Sequence, residues 1–328
     1  MSAPGLGEFE LIRRFFMRSA TPAPQSGVAV GVGDDAAVLD LPAGCQLVAA
    51  VDTILEGRHF LPGSNPRSIG HRALAVNLSD MAAMGATPAW ATLALSMPSV
   101  DVEWLQEFSA GLLDLADAHR VALVGGDTTR GPLTVSVQIM GYLPQHSALL
   151  RGGAQAGDFI VVTGTLGDAA AGLQYSTSPA LNPSDKDAVQ SLIARFEYPT
   201  PRVAMGIAAR GIASAAMDLS DGLAGDLPKL AQACGLGAVV NVDQLPLSPA
   251  LRAAASLQQA RDWALGGGED YELLFTVAPP RYVALHSAAQ RLNLTLSIIG
   301  EMRAAAGVSW LLDGAAFAPR SSGFDHFG

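Results

Sequence analysis

The acidic residues of this chain recur in one kind of place. They sit in short Gly/Ser/Thr-containing turns, most of them at the ends of apolar, strand-like runs. The instances are Gly31-Val32-Gly33-Asp34-Asp35, Val51-Asp52-Thr53, Asn77-Leu78-Ser79-Asp80, Gly125-Gly126-Asp127-Thr128-Thr129, Asp218-Leu219-Ser220-Asp221-Gly222 and Gly268-Glu269-Asp270. One aspartate after an apolar run is accounted for by Asx-turn geometry. The repetition is not, because strand ends are where open sheets place ligands. Carboxylates with hydroxyl and carbonyl neighbours are hard oxygen donors. They suit Mg²⁺, which keeps several waters and bridges to phosphate oxygens. The chemistry implied is the handling of phosphates through metal.

Charge points the same way. Twenty basic against 30 acidic residues leave a net charge of −10. A nucleic-acid footprint and attraction to an anionic membrane are therefore not expected. The two lysines, Lys186 and Lys229, do not follow glycine, so there is no P-loop, and the strand lysine of protein kinases is absent too. Gly31-Val32-Gly33-Asp34-Asp35-Ala36 matches a dinucleotide fingerprint in letters only. A strand-like run, Ala36–Leu39, and then Pro42 follow it where a helix is required, and two aspartates would repel a pyrophosphate. Gly125-Gly126 and Gly152-Gly153 let backbone amides approach phosphate closely. Arg151 is either a bidentate phosphate partner or a surface charge at a domain boundary. His59 is either a packing residue or a substrate contact. No Ser/His/Asp triad and no cysteine nucleophile is visible. Cys45 and Cys234 lack metal-site spacing and fit a reducing compartment. Glu8 and Glu10 stand where a signal peptide would be apolar, and no stretch of about 18 apolar residues suggests a membrane span. A cytoplasmic protein is expected.

The elements that must position these residues follow from periodicity. A length of 328 residues, 49% of them hydrophobic, suggests roughly two domains with packed cores. An amphipathic helix over Gly7–Arg18 and a Pro/Ser/Gly turn open the chain. Strands are expected at Ala36–Leu39, Gln46–Val51, Ala89–Met97, Val121–Val124 and Leu133–Leu143, with helices over Pro66–Gly85 and Val102–Ala118. Charge and glycine cluster over Pro144–Gly157, which sets a boundary between domains 1–147 and 148–328. The second domain is expected to hold strands at Phe159–Thr163, Ala215–Asp218, near Val239, at Tyr271–Val277, 296–300 and 307–312. Its helices are expected after Gly167, near 187–196 and 201–210, over Leu223–Ala233 and near 281–292, with a polar loop near 176–187. The class is α/β or α+β.

In order from residue 7 to 327, Glu8-Phe9, GVGDDAAVL (31–39), VDT…GRHF (51–60), ALAVNLSDMAAMGATPAW (73–90), LVGGDTTRGP (123–132), VTGTLGDAAAGL (162–173), DLSDGL (218–223), GGEDYELLFT (267–276) and GFDHF (323–327) resemble the thiamine-monophosphate kinases of the aminoimidazole-ribonucleotide-synthetase-like ATP-binding superfamily. The resemblance implies an N-terminal α/β domain that dimerises by forming a β-barrel across the interface, and an α+β C-terminal domain. It implies ATP-dependent phosphorylation of thiamine monophosphate to thiamine diphosphate, the last step of that cofactor's biosynthesis. By the same resemblance the transfer would be direct and in line, with several Mg²⁺ ions and no phosphoenzyme. By motif, the metal ligands would be Asp35, Asp52, Asp80, Asp127, Asp218 and Asp221, with Asp34 a neighbour. Ala50 and Val51 stand where the family uses main-chain or hydroxyl oxygens, so only their carbonyls can serve. ATP contacts would include Gly126, Asp127, Arg151 and Ser220. Thiamine monophosphate would meet His59, Glu269 and Phe324, and no residue acts as covalent or general-base catalyst. Other readings are another ATP-dependent member of the superfamily, or a catalytically silent nucleotide-binding module. The selenophosphate-forming members' N-terminal Cys or selenocysteine and nearby Lys are absent here.

Overall fold

A computed structural model describes residues 7–17, 27–178, 185–321 and 323–324. The expected Pro/Ser/Gly turn, part of the polar loop near 176–187, and Asp325-His326-Phe327 lie outside them. The chain divides into two compact units, Met1–Met81 with Ala86–His146, and Ala82–Gly85 with Ser147–Gly328.

The first unit opens with α1 (Glu8–Leu11), which runs into a π-helical turn at Ile12–Phe16. Strands β1 (Val28–Val30) and β2 (Val38–Leu39) pair antiparallel, so Gly31–Ala37 is the loop of a small hairpin and opens no helix. The other elements are β3 (Cys45–Leu55), α2 (Pro66–Ala83), β4 (Thr87–Met97), α3 (Val102–Ala118), β5 (Ala122–Arg130) and β6 (Thr134–Pro144). The large strands form one sheet in the order β3-β6-β4-β5, antiparallel except for β4 and β5. That parallel pair is joined through α3, whose first turn is capped by the Asp101 carboxylate accepting from the Glu103 and Trp104 amides. Alternate residues of β4 and β6 are buried, among them Leu93, Leu95, Val135, Val137 and Ile139. The opposite side of β3 exposes Leu47, Val51 and Leu55, which are 56%, 63% and 39% exposed. Helices α2 and α3 cross closely at glycines. A Cβ on Gly111 would lie 1.9 Å from the Arg67 carbonyl oxygen, and one on Gly70 2.0 Å from that of Phe108.

The second unit holds β7 (Phe159–Thr163), α4 (Asp168–Thr177), α5 (Lys186–Glu197), α6 (Val203–Ala209), β8 (Ala215–Leu219), α7 (Leu223–Ala233), β9 (Gly237–Asn241), α8 (Pro249–Ala254), α9 (Leu257–Gly266), β10 (Glu272–Val277), α10 (Tyr282–Arg291), β11 (Leu296–Arg303), β12 (Gly307–Leu312) and β13 (Ala315–Phe317). Its sheet runs β13-β12-β9-β11-β7-β10-β8, with only β9 and β12 parallel. The strands at one end of this sheet, β7, β10 and the edge strand β8, are mostly apolar and buried, as strands covered on both faces are.

Candidate active site

In the first unit the strands run further than the apolar pattern suggests, which corrects the placing of aspartates at strand ends. Asp52 is interior to β3, because the ladder to β6 is unbroken from Cys45 opposite Pro144 to Leu55 opposite Thr134. Those paired hydrogen bonds outweigh the low strand preference of aspartate. Asp127 is likewise interior to β5, and Asp80 lies in a helix, the last turn of α2. The Asp52 amide donates to Asn77 Oδ1 at 3.2 Å, and Asn77 is fully buried. Asp80 lies three residues beyond Asn77, hence on the same helix face. Asp52 and Asp80 are thus drawn to one place by the contact of α2 with β3.

Asp127 is placed apart from them. It shares a row with Ala94, Ser136 and Thr53, whereas Asp52 shares the adjoining row with Val137, Leu93 and Gly126. The two aspartates therefore occupy opposite edge strands, three strand spacings or about 14 Å apart along the sheet. Gly126 has φ +148°, and a Cβ there would lie 1.9 Å from the Leu93 carbonyl oxygen. Close strand packing therefore demands this glycine, besides any approach of its amide to phosphate. Asp34 and Asp35 lie exposed in the β1–β2 loop, where the Asp35 amide donates to Asp34 Oδ1 at 2.8 Å. Ala50 and Val51 are β3 residues whose backbone belongs to the same ladder. His59 Nδ1 accepts the Leu55 amide at 3.1 Å, and the His59 carbonyl accepts from Arg72 at 2.8 Å. The ring is therefore fixed, with its proton on Nε2.

The second unit gathers its residues round the Ser220–Gly222 turn. Asp218 is buried at the end of β8, opposite Leu273. The Asp226 carboxylate, from the first turn of α7, accepts the Ser220 and Asp221 amides at 3.1 and 2.9 Å. Lys229 Nζ lies 2.6 Å from Asp221 and 2.9 Å from Asp226. Burial pushes the Asp226 carboxyl up, against the pull of Lys229. Burial works to lower the Lys229 ammonium, but its hydrogen bonds to the two carboxylates outweigh that and raise it. The Glu269 amide donates to the Ser220 carbonyl at 2.9 Å, and the Phe324 amide to that of Asp221 at 3.1 Å. Phe324 is 47% exposed, so an aromatic face is presented beside this turn. Arg151 is exposed on a 3-10 turn, Arg151–Gly153, whose first carbonyl accepts from Cys234 Sγ at 2.9 Å.

The Gly268–Glu272 segment is clamped on both sides. Asp270, buried, accepts the Gly167 amide at 2.7 Å and the Ala169 amide at 3.2 Å, at the N-terminus of α4. Burial pushes its carboxyl up to about 7, and neighbouring Asp168 adds to the rise. Glu272, fully buried, takes Arg195 at 3.0 Å, Arg202 Nε at 2.7 Å and the Thr163 hydroxyl at 2.6 Å. Between the clamps the backbone is strained: Glu269 has φ +73° and Tyr271 φ +50°. For residues other than glycine this costs about 1–2 kcal/mol each. Sequence reasoning missed Asp226, Lys229 and Tyr271 as site-building residues, and counted Asp270 among the acidic turns without its role as a clamp. The only signal was their position within a few residues of the acidic turns.

The donors fit Mg²⁺ by chemistry. All are carboxylate or carbonyl oxygens, and Asp80 sits at a helix C-terminus whose last turn has no basic residue. The helix dipole disfavours an anion there, and a cation would relieve it. Among the described residues no three His, Cys, Asp or Glu side chains form a ready-made metal cage. Mg²⁺ does not ask for one, since it binds through one or two carboxylates together with waters and substrate phosphates.

Comparison with known proteins gives the class first. The N-terminal domain of AIR synthase related proteins matches residues 33–143, and their C-terminal domain matches residues 155–311. The chain is thus a two-domain α+β protein of the AIR synthase related class. Within it, the thiamine-monophosphate kinase of Salmonella typhimurium is 47% identical over 98% of both chains. The solved thiamine-monophosphate kinase of Stenotrophomonas maltophilia is 47% identical with a TM-score of 0.84, covering 90% of this chain and 93% of that one. The solved AaThiL, complexed with AMPPCP and TMP, is 31% identical with a TM-score of 0.77, covering 88% of this chain and 89% of its own. The chain belongs to the thiamine-monophosphate kinase family.

Proposed function

We propose that this protein transfers the γ-phosphoryl group of ATP to thiamine monophosphate, giving thiamine diphosphate and ADP. The observation that carries the reading is likeness over nearly the whole chain to thiamine-monophosphate kinases, one solved with AMPPCP and TMP. Such a transfer needs positioning and charge neutralisation more than a covalent catalyst. The acceptor phosphate oxygen is nucleophilic near neutral pH, so no general base is required. Mg²⁺, when bound, supplies the positive charge that lets two anions approach. Asp35, Asp52, Asp80, Asp127, Asp218 and Asp221, with the Ala50 and Val51 carbonyls, are the residues assigned to hold it. Gly126, Asp127, Arg151 and Ser220 are assigned to the nucleotide. His59 offers an Nε2 donor to the acceptor's phosphate, while Glu269 and the Phe324 ring suit the cationic thiazolium.

Residues 1–147 are assigned as the ATP- and Mg²⁺-binding, dimerising domain, and 148–328 as the C-terminal domain, to which the assigned Arg151, Asp218, Ser220 and Asp221 belong. A homodimer through the open face of the β3-β6-β4-β5 sheet is part of the proposal, supported by exposed Leu47, Val51 and Leu55. Among the described residues no helix is long and apolar enough to cross a membrane. A cytoplasmic location is proposed on the free Cys45 and Cys234 thiols.

The test is incubation with Mg·ATP and thiamine monophosphate, with products separated by chromatography. Thiamine diphosphate formed in step with ADP, and abolished by EDTA, is the expected result. ADP without thiamine diphosphate would mean another acceptor, and nucleotide binding without turnover a silent module. Asp52→Asn and Asp127→Asn are expected to lower kcat by about 10²-fold or more, with the fold intact by circular dichroism.

A further inference from the structure

Six residues other than glycine adopt positive φ among the described residues: Arg120, His146, Glu269, Tyr271, Asn293 and Asp313. Four of them are exposed turn residues. Glu269, half-buried, and Tyr271, buried, are the exceptions, and they flank a single buried residue, Asp270. A bulky aromatic in the left-handed region is an outlier that persists only where its surroundings over-determine it. Here the surroundings are the two clamps already described, Asp270 on the N-terminus of α4 and Glu272 on its two arginines. The Tyr271 amide is also held by the Leu219 carbonyl at 3.0 Å. With the backbone so fixed, the Tyr271 hydroxyl donates to Glu269 Oε2 at 3.1 Å, across two residues of the same loop.

We propose that Tyr271 is a positioning residue for the acceptor subsite: its hydroxyl orients the Glu269 carboxylate toward the cationic part of the acceptor. This rests on the kinase reading and on the assignment of Glu269 to thiamine monophosphate. Two arguments support it. A hydrogen bond from a phenol to a carboxylate is charge-assisted and directional, so it fixes which way the oxygens face. A tyrosine kept at φ +50° costs stability that an ordinary strand residue would not, and a phenylalanine would carry the same strain. What phenylalanine lacks is the hydroxyl on Glu269.

The test compares wild type, Tyr271→Phe, Glu269→Ala and the double variant, in steady-state kinetics for both substrates and in thermal melting. Tyr271→Phe is expected to raise the KM for thiamine monophosphate about fivefold, the scale of one weakened charge-assisted hydrogen bond. The KM for Mg·ATP and the melting temperature should stay at wild-type values. In the Glu269→Ala background, Tyr271→Phe should have no further effect on the KM for thiamine monophosphate, because the group that the hydroxyl orients is gone. An unchanged KM for thiamine monophosphate in Tyr271→Phe overturns the proposal, as does an equal rise in both KM values or full additivity in the double variant. Wild-type protein inert toward thiamine monophosphate overturns the kinase reading itself, and this proposal with it.

Discussion

At the scale of single residues, the acidic pattern marks the carboxylates proposed to act and says little about what holds them. Asp52, Asp80, Asp218 and Asp221 were all visible as aspartates in Ser/Thr/Gly contexts. That Asn77 holds the Asp52 amide, or that Lys229 already pairs with Asp221, depends on contacts between elements that no local spacing encodes. Asp270 shows the same limit. In the sequence it is one more acid of the Gly268-Glu269-Asp270 turn, yet it is buried and caps α4. This burial has a pH signature. The folded carboxyl titrates at about 7 against 3.8 for the ordinary group. Between those values the folded chain keeps a proton that the unfolded chain has released, so stability falls as pH rises through that window and levels off above it. The wild type is expected to lose about 2–4 kcal/mol from this group between pH 4 and 7.5. Asp270→Asn should lose that part of the slope. Urea unfolding of both proteins across this pH range checks it, and identical slopes would rule the assignment out.

At the scale of elements, periodicity placed Val102–Ala118, Phe159–Thr163 and Leu223–Ala233 at the bounds they have. These are a capped amphipathic helix, a short buried strand and a helix opened by glycine, where local signals agree with the fold. It stopped β3 at Val51 and β5 at Val124, because Asp, Gly and Thr read as turn residues. The paired ladders carry both strands on through the very residues proposed to act. It also passed over α8 and α9, whose openings are marked only by the Ser248 and Ser256 caps. The α2–α3 crossing explains how Asn77 and Asp80 are delivered to β3. Since a Cβ on Gly111 would lie 1.9 Å from the Arg67 carbonyl oxygen, Gly111→Ala must push the helices apart. It is expected to cost about 1–3 kcal/mol in urea unfolding, and to lower kcat as α2 carries Asp80 away from Asp52. A variant of wild-type stability and activity would show that the crossing does not set this geometry.

At the scale of the whole molecule, the charge of −10 and the exposed apolar face of β3 make separate demands. An acidic protein has no net attraction for ATP, so nucleotide binding itself should require the divalent cation. Calorimetry with EDTA should show no ATP binding at all, whereas retained binding would move the charge neutralisation to Arg151 and its neighbours. The apolar face makes its demand at an edge strand. Leu47, Val51 and Leu55 alternate along β3 with residues turned to the core, and β3 ends the β3-β6-β4-β5 sheet. An exposed apolar edge strand of 11 residues is an aggregation hazard unless something covers it. A second copy of the same sheet would cover three large apolar side chains and leave no bare edge, which is how a shared barrel removes the problem. The wild type should therefore sediment as a dimer. Leu47→Glu, which sets two like charges against an apolar partner across a two-fold axis, should sediment as a monomer at micromolar concentration. Because Leu47 lies five residues from Asp52 on the opposite side of the strand, any loss of turnover in that variant would measure how far the site depends on the dimer. A wild type that is monomeric, or a Leu47→Glu protein that stays dimeric, would place the interface elsewhere.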